Sequence, residues 1–250
     1  MDNPKISVIM SVYNQGHYLP ESINSILNQT FKNFEFIILD DGSTDNSWEI
    51  ICKFSQKDPR IESLQNKRNR GLAYSLNRGI ESARSQYIAR QDADDISLPA
   101  RLCCQYSYLR KNPDVFLNAA EAILINNSGR EITRYQRNYS PQKLSRKLKR
   151  KNPLFHSSIM FRNRNIAYRQ KFYLAQDYDL YLRLKSMNKK ITTLPQLLIK
   201  HRSHPDSLTR TLKQKQRRFA RKARAFHKQR KKYGKDQYSN FNPQSILDNV

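Results

Sequence analysis

The sequence predicts an α/β fold in which helices flank a mostly parallel central sheet. Short runs rich in β-branched residues alternate with segments whose apolar residues recur at helical spacing. This alternation is typical of βαβ units, in which a helix carries the chain back between parallel strands. With 250 residues, the chain is long enough for one such domain with a core and some extension.

The alternation is regular in the first half of the chain. Buried strands are predicted from β-branching and length at residues 6–10, 34–39, 61–64 and 87–89. Between them lie three sets of apolar residues at helical spacing: Leu19, Ile23, Ile26 and Leu27, then Trp48, Ile51 and Phe54, then Leu72, Leu76 and Ile80. Ser43 or Thr44 can cap the second helix, and Pro99 opens a fourth.

The second half of the chain is less regular. Strands are predicted at residues 115–125, 156–161 and 197–199, and helices at residues 140–150 and 177–187. From Thr209 onward, a very basic helix carries a narrow apolar stripe of Leu212, Phe219, Ala223 and Phe226. A loose tail of about fifteen residues follows it. We therefore divide the chain into a domain of residues 1–208, with halves 1–112 and 113–208, and a basic helical extension of residues 209–250.

Charge and cysteine content limit the partners and the compartment. Lys and Arg number 46 against 21 for Asp and Glu, and residues 210–235 contain no acid at all. Such a field favours nucleic acid, anionic lipid or phosphorylated substrates. The three cysteines form no disulfide framework, and we predict neither a signal peptide nor a transmembrane helix. We expect a cytoplasmic protein that can also lie on the inner face of a membrane.

Each of the four predicted strands in the first half ends in a polar cluster. The clusters are Tyr13-Asn14, Asp40-Asp41, Asn69-Arg70 and residues 92–95. In open parallel sheets, ligands bind outside the carboxyl ends of the strands. We therefore expect all four clusters to face one edge of the sheet and to form one site.

Three of the residues at 92–95 are carboxylates. Asp92, Asp94 and Asp95 repel one another unless a cation or solvent screens them, and carboxylate oxygens suit Mg²⁺ or Mn²⁺. On an extended backbone, Asp92 and Asp94 point the same way and can serve one ligand. The alternative is a solvated acidic loop that caps the helix after it.

Asp40 and Asp41 also follow a buried strand. A turn with a helix cap explains Gly42 and Ser43, but it does not explain two acids at that position. A carboxylate there could accept the imide N–H of a uracil or the amino group of another base. Tyr13 could stack on the base, or it could be a packed aromatic, while Asn14 fixes the loop.

These motifs, in this order, resemble those of the family 2 inverting glycosyltransferases of GT-A fold. The resemblance rests on Lys5-Ile6-Ser7-Val8-Ile9-Met10-Ser11-Val12-Tyr13-Asn14, Asp40-Asp41-Gly42-Ser43-Thr44-Asp45, Asn69-Arg70-Gly71-Leu72-Ala73 and Asp92-Ala93-Asp94-Asp95. Later segments at residues 156–162, 176–183 and 194–207 resemble the family's acceptor-side strand, its acidic helix element and its closing element. The resemblance covers about four-fifths of the chain.

The resemblance implies a Rossmann-like GT-A domain that moves a sugar, with inversion, from a UDP-sugar to an acceptor hydroxyl. The acceptor would be a glycan or a lipid-linked molecule in the synthesis of surface polysaccharide or glycolipid. Asp177 would be the catalytic base, and Asp94 would bind Mn²⁺ or Mg²⁺, with His204 as a second contact to the metal or the diphosphate. The nucleotide sugar would lie against Ser11, Tyr13, Asn14, Asp41, Asn69 and Asp92.

Two residues depart from the family pattern. Ser11 stands where many members have proline, and Gln176 replaces the acid usual before Asp177, so the role of base rests on Asp177 alone. Asp177 could instead cap its helix, and His204 could be a packed or solvated histidine. Asp95 receives no role.

Other functions explain less of the sequence. A nucleic-acid- or anionic-surface-binding protein would use the basic helix, but the acidic strand ends would repel phosphates. A nucleotide-sugar binder without transfer activity would also fit the donor motifs. The sequence has no P-loop, no GxGxxG after the first strand and no GxSxG elbow. The basic extension could attach to an anionic leaflet through its apolar stripe and cationic faces, or it could simply pack on the domain.

Overall fold

In the computed structural model, the described residues are 3–205 and 211–248. Within them, one nine-stranded sheet runs through the molecule in the order β3-β2-β1-β4-β8-β6-β9-β5, and β7 pairs with β6. Its strands are β1 Ile6–Val12, β2 Phe34–Asp40, β3 Ile61–Gln65, β4 Tyr87–Asp92, β5 Ile96–Ser97, β6 Val115–Ile125, β7 Glu131–Tyr135, β8 Ile159–Arg162 and β9 Lys190–Arg202.

Helices cover both faces of this sheet. They are α1 Leu19–Leu27, α2 Ser47–Lys57, α3 Leu72–Ser82, α4 Arg101–Lys111, α5 Pro141–Leu148, α6 Gln176–Ser186, α7 Lys213–Tyr233 and the short α8 Gln244–Leu247, with a 3-10 turn at His156–Ser158.

None of the helices in the described ranges combines the length and the apolar character that crossing a membrane requires.

The first half of the sheet is parallel, as the alternation of strands and helices predicts. Strands β3, β2, β1 and β4 pair in parallel, and the register places Val12 beside Asp40 and Ser11 beside Asp92. The strand ends that carry the polar clusters therefore lie next to one another. The α/β fold class is confirmed.

The second half of the sheet is mixed, whereas the sequence indicates only parallel βαβ units. Strand β8 pairs antiparallel with both β4 and β6, β5 pairs antiparallel with β9, and only β6 and β9 pair in parallel there. Strand β7, which the sequence does not predict, follows β6 through a short turn in which Asn126 Oδ1 accepts the Ser128 and Arg130 N–H groups. A turn this short can join only antiparallel strands.

Apolar side chains on the two faces of β1 build two cores. Val8 and Met10 pack with Ile23 of α1 and its neighbours, whereas Ile9, on the other face, packs with Leu76 of α3. This division follows from the alternation of side chains along a strand. Because both faces of β1 are covered by apolar side chains, polar residues are found where the strand ends.

The basic helix α7 packs on the domain. Its residues Phe219, Ala223 and Phe226 are at most 1% exposed, and they contact α6 and the aromatic ring of Phe172. This is the second of the two alternatives that the sequence leaves open. Because the apolar stripe is buried in the core, it is not available for insertion into a membrane. Residues 206–210, which hold the predicted domain boundary and the end of the closing element, lie outside the described residues.

The loose tail predicted after the basic helix is instead packed. Phe241 and Ile246 are buried in the same core as α7, and Asp236 pairs with Arg169 at 2.8 Å. Although most residues of this segment are polar, three of them fix it on the domain. Phe241 and Ile246 are buried, and Asp236 pairs with a cation. Burial of each large apolar side chain contributes about 1.5–3 kcal/mol toward holding the tail on the core.

Candidate active site

The carboxyl ends of β1, β2 and β4 open into one cleft of about 1530 Å³. The cleft is lined by every residue that the sequence predicts for the site: Ser11, Tyr13, Asn14, Asp41, Asn69, Asp92, Asp94, Asp177 and His204. The prediction that the four polar clusters converge is therefore confirmed. Asp177 reaches the cleft from α6 and His204 from the segment after β9, both far from those clusters in sequence.

Asp41 organises one wall of the cleft. Its carboxylate is buried and accepts the Asn66 side-chain amide at 2.6 Å and the N–H groups of Arg70 and Gly71 at 2.9 and 2.8 Å. Gly71 takes a positive φ of 88°, which glycine adopts without steric cost. A carboxylate has about four acceptor positions, so one more N–H, such as that of a base, can still be accepted.

Asn14 holds the loop after β1 against the loop after β2. Its side-chain oxygen accepts the Thr44 N–H at 2.8 Å, and its own N–H donates to Ser43 Oγ at 3.0 Å. Tyr13 beside it is 44% exposed, so its ring is not a packed core aromatic. A flat exposed ring at the mouth of the cleft is suited to stacking on a base.

Asp92 and Asp94 present carboxylates to the cleft. Asp92 forms an ion pair with the buried Arg90, and Asp94 Oδ2 lies 3.1 Å from His204 Nε2. Carboxylate oxygens of Asp92, Asp94 and Asp95 lie within 4.8 Å of one another. Two partly exposed carboxylates beside an imidazole are a donor set that a hard divalent cation accepts. The chemistry of the residues present therefore fits Mn²⁺ or Mg²⁺.

Asp95 has a structural position that the sequence does not indicate. Its fully buried carboxylate accepts the Arg202 N–H at 2.7 Å, contacts His201 Nδ1 at 3.0 Å and accepts the Ser157 hydroxyl. These contacts tie the end of β4 to β9 and to the 3-10 turn. Burial disfavours the His201 imidazolium, but the Asp95 carboxylate outweighs it and raises the pKa of His201 to about 9.

Asp177 lies in the first turn of α6 and is not its cap. The N-cap residue is Ala175, which takes a left-handed conformation with φ 67°. The Asn152 amide donates to Asp177 Oδ2 at 2.6 Å. Burial raises the pKa of Asp177 to about 6, although the Tyr178 N–H, Asn152 and the Arg90 guanidinium all favour the carboxylate; Asp92 adds to the increase. A carboxylate tuned in this way is typical of a general base.

Sequence reasoning missed several residues that line the cleft. Asn152 and His156 come from the segment around the 3-10 turn, and one face of α7 contributes Lys213, Gln216, Arg217, Ala220, Arg221 and Arg224. The spacing of three or four residues in the α7 set is a helical signal visible in the sequence. What the sequence does not show is which face of that helix meets the cleft.

A family profile described as "Glycosyl transferase family 2" matches residues 7–171. The chain is also 36% identical over 223 residues to MJ1057 of Methanocaldococcus jannaschii, an uncharacterized glycosyltransferase, and the match covers 86% of this chain and 77% of that protein. The chain belongs to glycosyl transferase family 2. It is therefore a glycosyltransferase, and the membership of family 2 that its motifs indicate is confirmed.

Other relatives of this family 2 chain have more specific names. It is 33% identical over 211 residues to WbnJ of Escherichia coli, an O-antigen biosynthesis glycosyltransferase, and the match covers 81% of each chain. Residues 1–349 of S. aureus TarS, solved with UDP-GlcNAc, superpose with a TM-score of 0.72 at 19% identity over 97% of this chain and 70% of that one. The family 2 chain spans 37% of a longer TarS chain.

A second solved structure shares the fold and contains a metal. The mannosyltransferase PcManGT from Pyrobaculum calidifontis, in complex with GDP-Man and Mn²⁺, superposes with a TM-score of 0.61 at 18% identity. The match covers 80% of this family 2 chain and 57% of that chain. At such low identity the likeness establishes the fold, which is the GT-A arrangement predicted from the motifs.

Proposed function

We propose that the protein transfers a sugar from a UDP-sugar to an acceptor hydroxyl with inversion, using a divalent cation at Asp94 and Asp177 as the base. The observation that carries this proposal is the cleft itself, since one cavity is lined by both Asp94 and Asp177. The acidic strand ends suit a cation and a nucleotide, and the buried carboxylate suits proton removal. The complexes of TarS with UDP-GlcNAc and of PcManGT with Mn²⁺ support such a donor and such a cation.

The donor would lie between the loops after β1 and β2. Tyr13 would stack on the base, and Asp41 would accept its N–H, while Asn14 and Asn69 fix the loops that carry these contacts. Ser11 and Asp92 are paired near the ends of two adjacent strands, and Asp92 would face the ribose. A bound Mn²⁺ or Mg²⁺ would neutralise the charge that grows on the departing diphosphate. His204, beside Asp94, would be the second contact to the cation or the diphosphate.

Asp177 would remove the proton from the acceptor hydroxyl as that oxygen attacks the anomeric carbon. The attack and the loss of the nucleoside diphosphate occur on opposite faces of the sugar, so one displacement inverts the configuration. Asn152 would hold the Asp177 carboxylate in place, because its amide donates to Oδ2 at 2.6 Å. Gln176 cannot share the proton, so Asp177 would act alone.

The stereochemical claim can be tested without knowledge of the acceptor. With Mn²⁺ and an α-linked UDP-sugar, water is expected to act as a slow acceptor, and the first sugar released is expected to be the β-anomer. With enough enzyme to release the sugar faster than it mutarotates, proton NMR at early times distinguishes the anomers. Release of the α-anomer first would reject an inverting displacement.

The pH dependence of turnover follows from Asp177. Burial raises the pKa of this carboxyl to about 6, so it is protonated below that pH and ionised above it. Because a base acts only when ionised, we expect turnover to rise with pH through about 6 and to be about tenfold lower at pH 5 than at pH 7.5. Initial rates at saturating donor measure this profile, and UDP affinity measured over the same range separates it from donor binding. A flat profile would contradict the assignment.

The product would belong to a surface polysaccharide or a glycolipid, as the name of WbnJ supports. Contact of residues 210–235 with the inner face of a membrane would rest on exposed cations such as those of α7 and not on insertion, because Phe219, Ala223 and Phe226 of the stripe are buried. Co-sedimentation with anionic vesicles but not with neutral ones is the expected result. Equal recovery with both kinds of vesicle would reject membrane contact.

A further inference from the structure

Four cations of α7 form a row along the cleft. Lys213, Arg217, Arg221 and Arg224 all line it, and their spacing of four, four and three residues places them on one side of the helix. At 1.5 Å per residue, neighbours stand about 6 Å apart and the row is about 17 Å long. We call these four residues the cleft row.

The cleft row has no acidic partner among residues 3–205 and 211–248. Lys213, Arg217 and Arg221 are exposed, and in the part of the chain that the structure describes no carboxylate lies within 4.0 Å of their charged groups. Elsewhere on the same helix a cation does find an acid, since Arg230 pairs with Asp236. Helix α7 has 11 cations and no acid among its 21 residues, so it offers the row no internal partner either.

The row ends at the helix that carries the proposed base, and both line the same cleft. Arg224 interacts with the Tyr178 hydroxyl and opposes the effect of burial on the pKa of that group. Tyr178 directly follows Asp177 in α6, and Lys151 and Asn152 line the cleft nearby in sequence. In the proposed function, this is where the accepting hydroxyl must lie. The row therefore runs along the acceptor's path, whereas the acids at the strand ends serve the donor.

We propose that the acceptor is a polyanionic strand carrying phosphate groups at regular spacing, which the cleft row binds while a hydroxyl of the strand reaches Asp177. That this strand is the acceptor rests on the proposed function, whereas the binding of a polyphosphate to the row does not. Guanidinium groups bind phosphate oxygens in pairs, and cations about 6 Å apart suit a chain with one charge per repeat. A single phosphate would use only part of such a row.

The test compares two double variants of α7 that lose the same charge. Arg217→Gln with Arg221→Gln removes half of the cleft row, whereas Lys228→Gln with Lys232→Gln removes two exposed cations that do not line the cleft. Glutamine keeps helix propensity nearly constant. Short inorganic polyphosphate is the probe, and its dissociation constant is measured by calorimetry at fixed salt. We expect at least about a tenfold loss of affinity for the cleft pair and less than about twofold for the control pair.

Three outcomes would overturn the proposal. Equal losses of polyphosphate affinity in the two double variants would mean that binding depends only on the overall charge of the helix. A parallel loss of UDP affinity in the cleft pair, with Mn²⁺ present, would place the row at the donor diphosphate. Loss of co-sedimentation with phosphatidylglycerol vesicles in the cleft pair alone would mean that the row faces a lipid surface. Failure of the wild-type protein to bind any nucleoside diphosphate would reject the proposed function and with it the acceptor role of the strand, and the polyphosphate comparison would still decide whether the cleft row binds phosphate chains.

Discussion

Asp177→Asn is expected to lower kcat for sugar transfer by about 10²–10⁴-fold, the usual contribution of a general base. The substitution keeps the size of the side chain and keeps an oxygen that can accept the Asn152 amide, so the head of α6 should retain its shape. What it removes is the ability to take a proton. Initial rates at saturating donor, measured with UDP release as the readout, check this expectation.

Donor binding provides the internal control for Asp177→Asn. Because Asp177 contributes to the acceptor chemistry and not to the nucleotide contacts, the affinity for UDP should change by less than about twofold. The thermal midpoint should also stay close to that of the wild-type protein. Normal turnover in the Asp177→Asn variant would show that another group removes the proton, and the assignment of the base would then be wrong.

Asp94→Ala is expected to lower metal-dependent donor hydrolysis by about 10²–10³-fold, the scale for loss of one group that stabilises developing charge. The carboxylate faces the cleft and lies 3.1 Å from His204 Nε2, so its removal takes away half of the pair proposed to hold the cation. Rates in Mn²⁺ and in EDTA, compared for the wild-type and variant proteins, check this expectation. The variant should also bind UDP more weakly in Mn²⁺.

Asp114→Asn is the matched control for Asp94→Ala. Its exposed carboxylate pairs with Lys190 at 2.7 Å and does not line the cleft, so its loss should leave the rate in Mn²⁺ unchanged. A surface pair of this kind contributes little to stability. If Asp94→Ala retained the wild-type rate and the same response to EDTA, the cation would have to be bound elsewhere or play no part.

The donor half of the site could be predicted because its signals are local. Each strand of the parallel half is a short β-branched run, and the residues that bear the chemistry follow it directly in sequence. A parallel arrangement then brings Val12, Asp40 and Asp92 to one edge without any further information. Asp41 is predictable for the same reason, although its contacts to the loop before α3 are not.

Other features depend on partners that are distant in the chain. Asp95 has no evident role in the sequence because its contact with His201 spans 106 residues. The antiparallel insertion of β8 between β4 and β6 likewise depends on tertiary contacts, since a strand of three apolar residues and Arg162 does not indicate which strands it pairs with. The basic helix is visible in the sequence, but its apolar stripe fits a membrane as well as the core that actually covers it.

Calorimetry with UDP tests the central claim most directly, because the proposed function requires one nucleotide site completed by a cation. Wild-type protein with Mn²⁺ is predicted to bind UDP with one site per chain, more tightly than GDP or ADP, and EDTA is predicted to weaken that binding by at least about tenfold. Tighter binding of GDP would change the donor. Absence of saturable binding by any nucleoside diphosphate, with or without Mn²⁺, would contradict the proposed function.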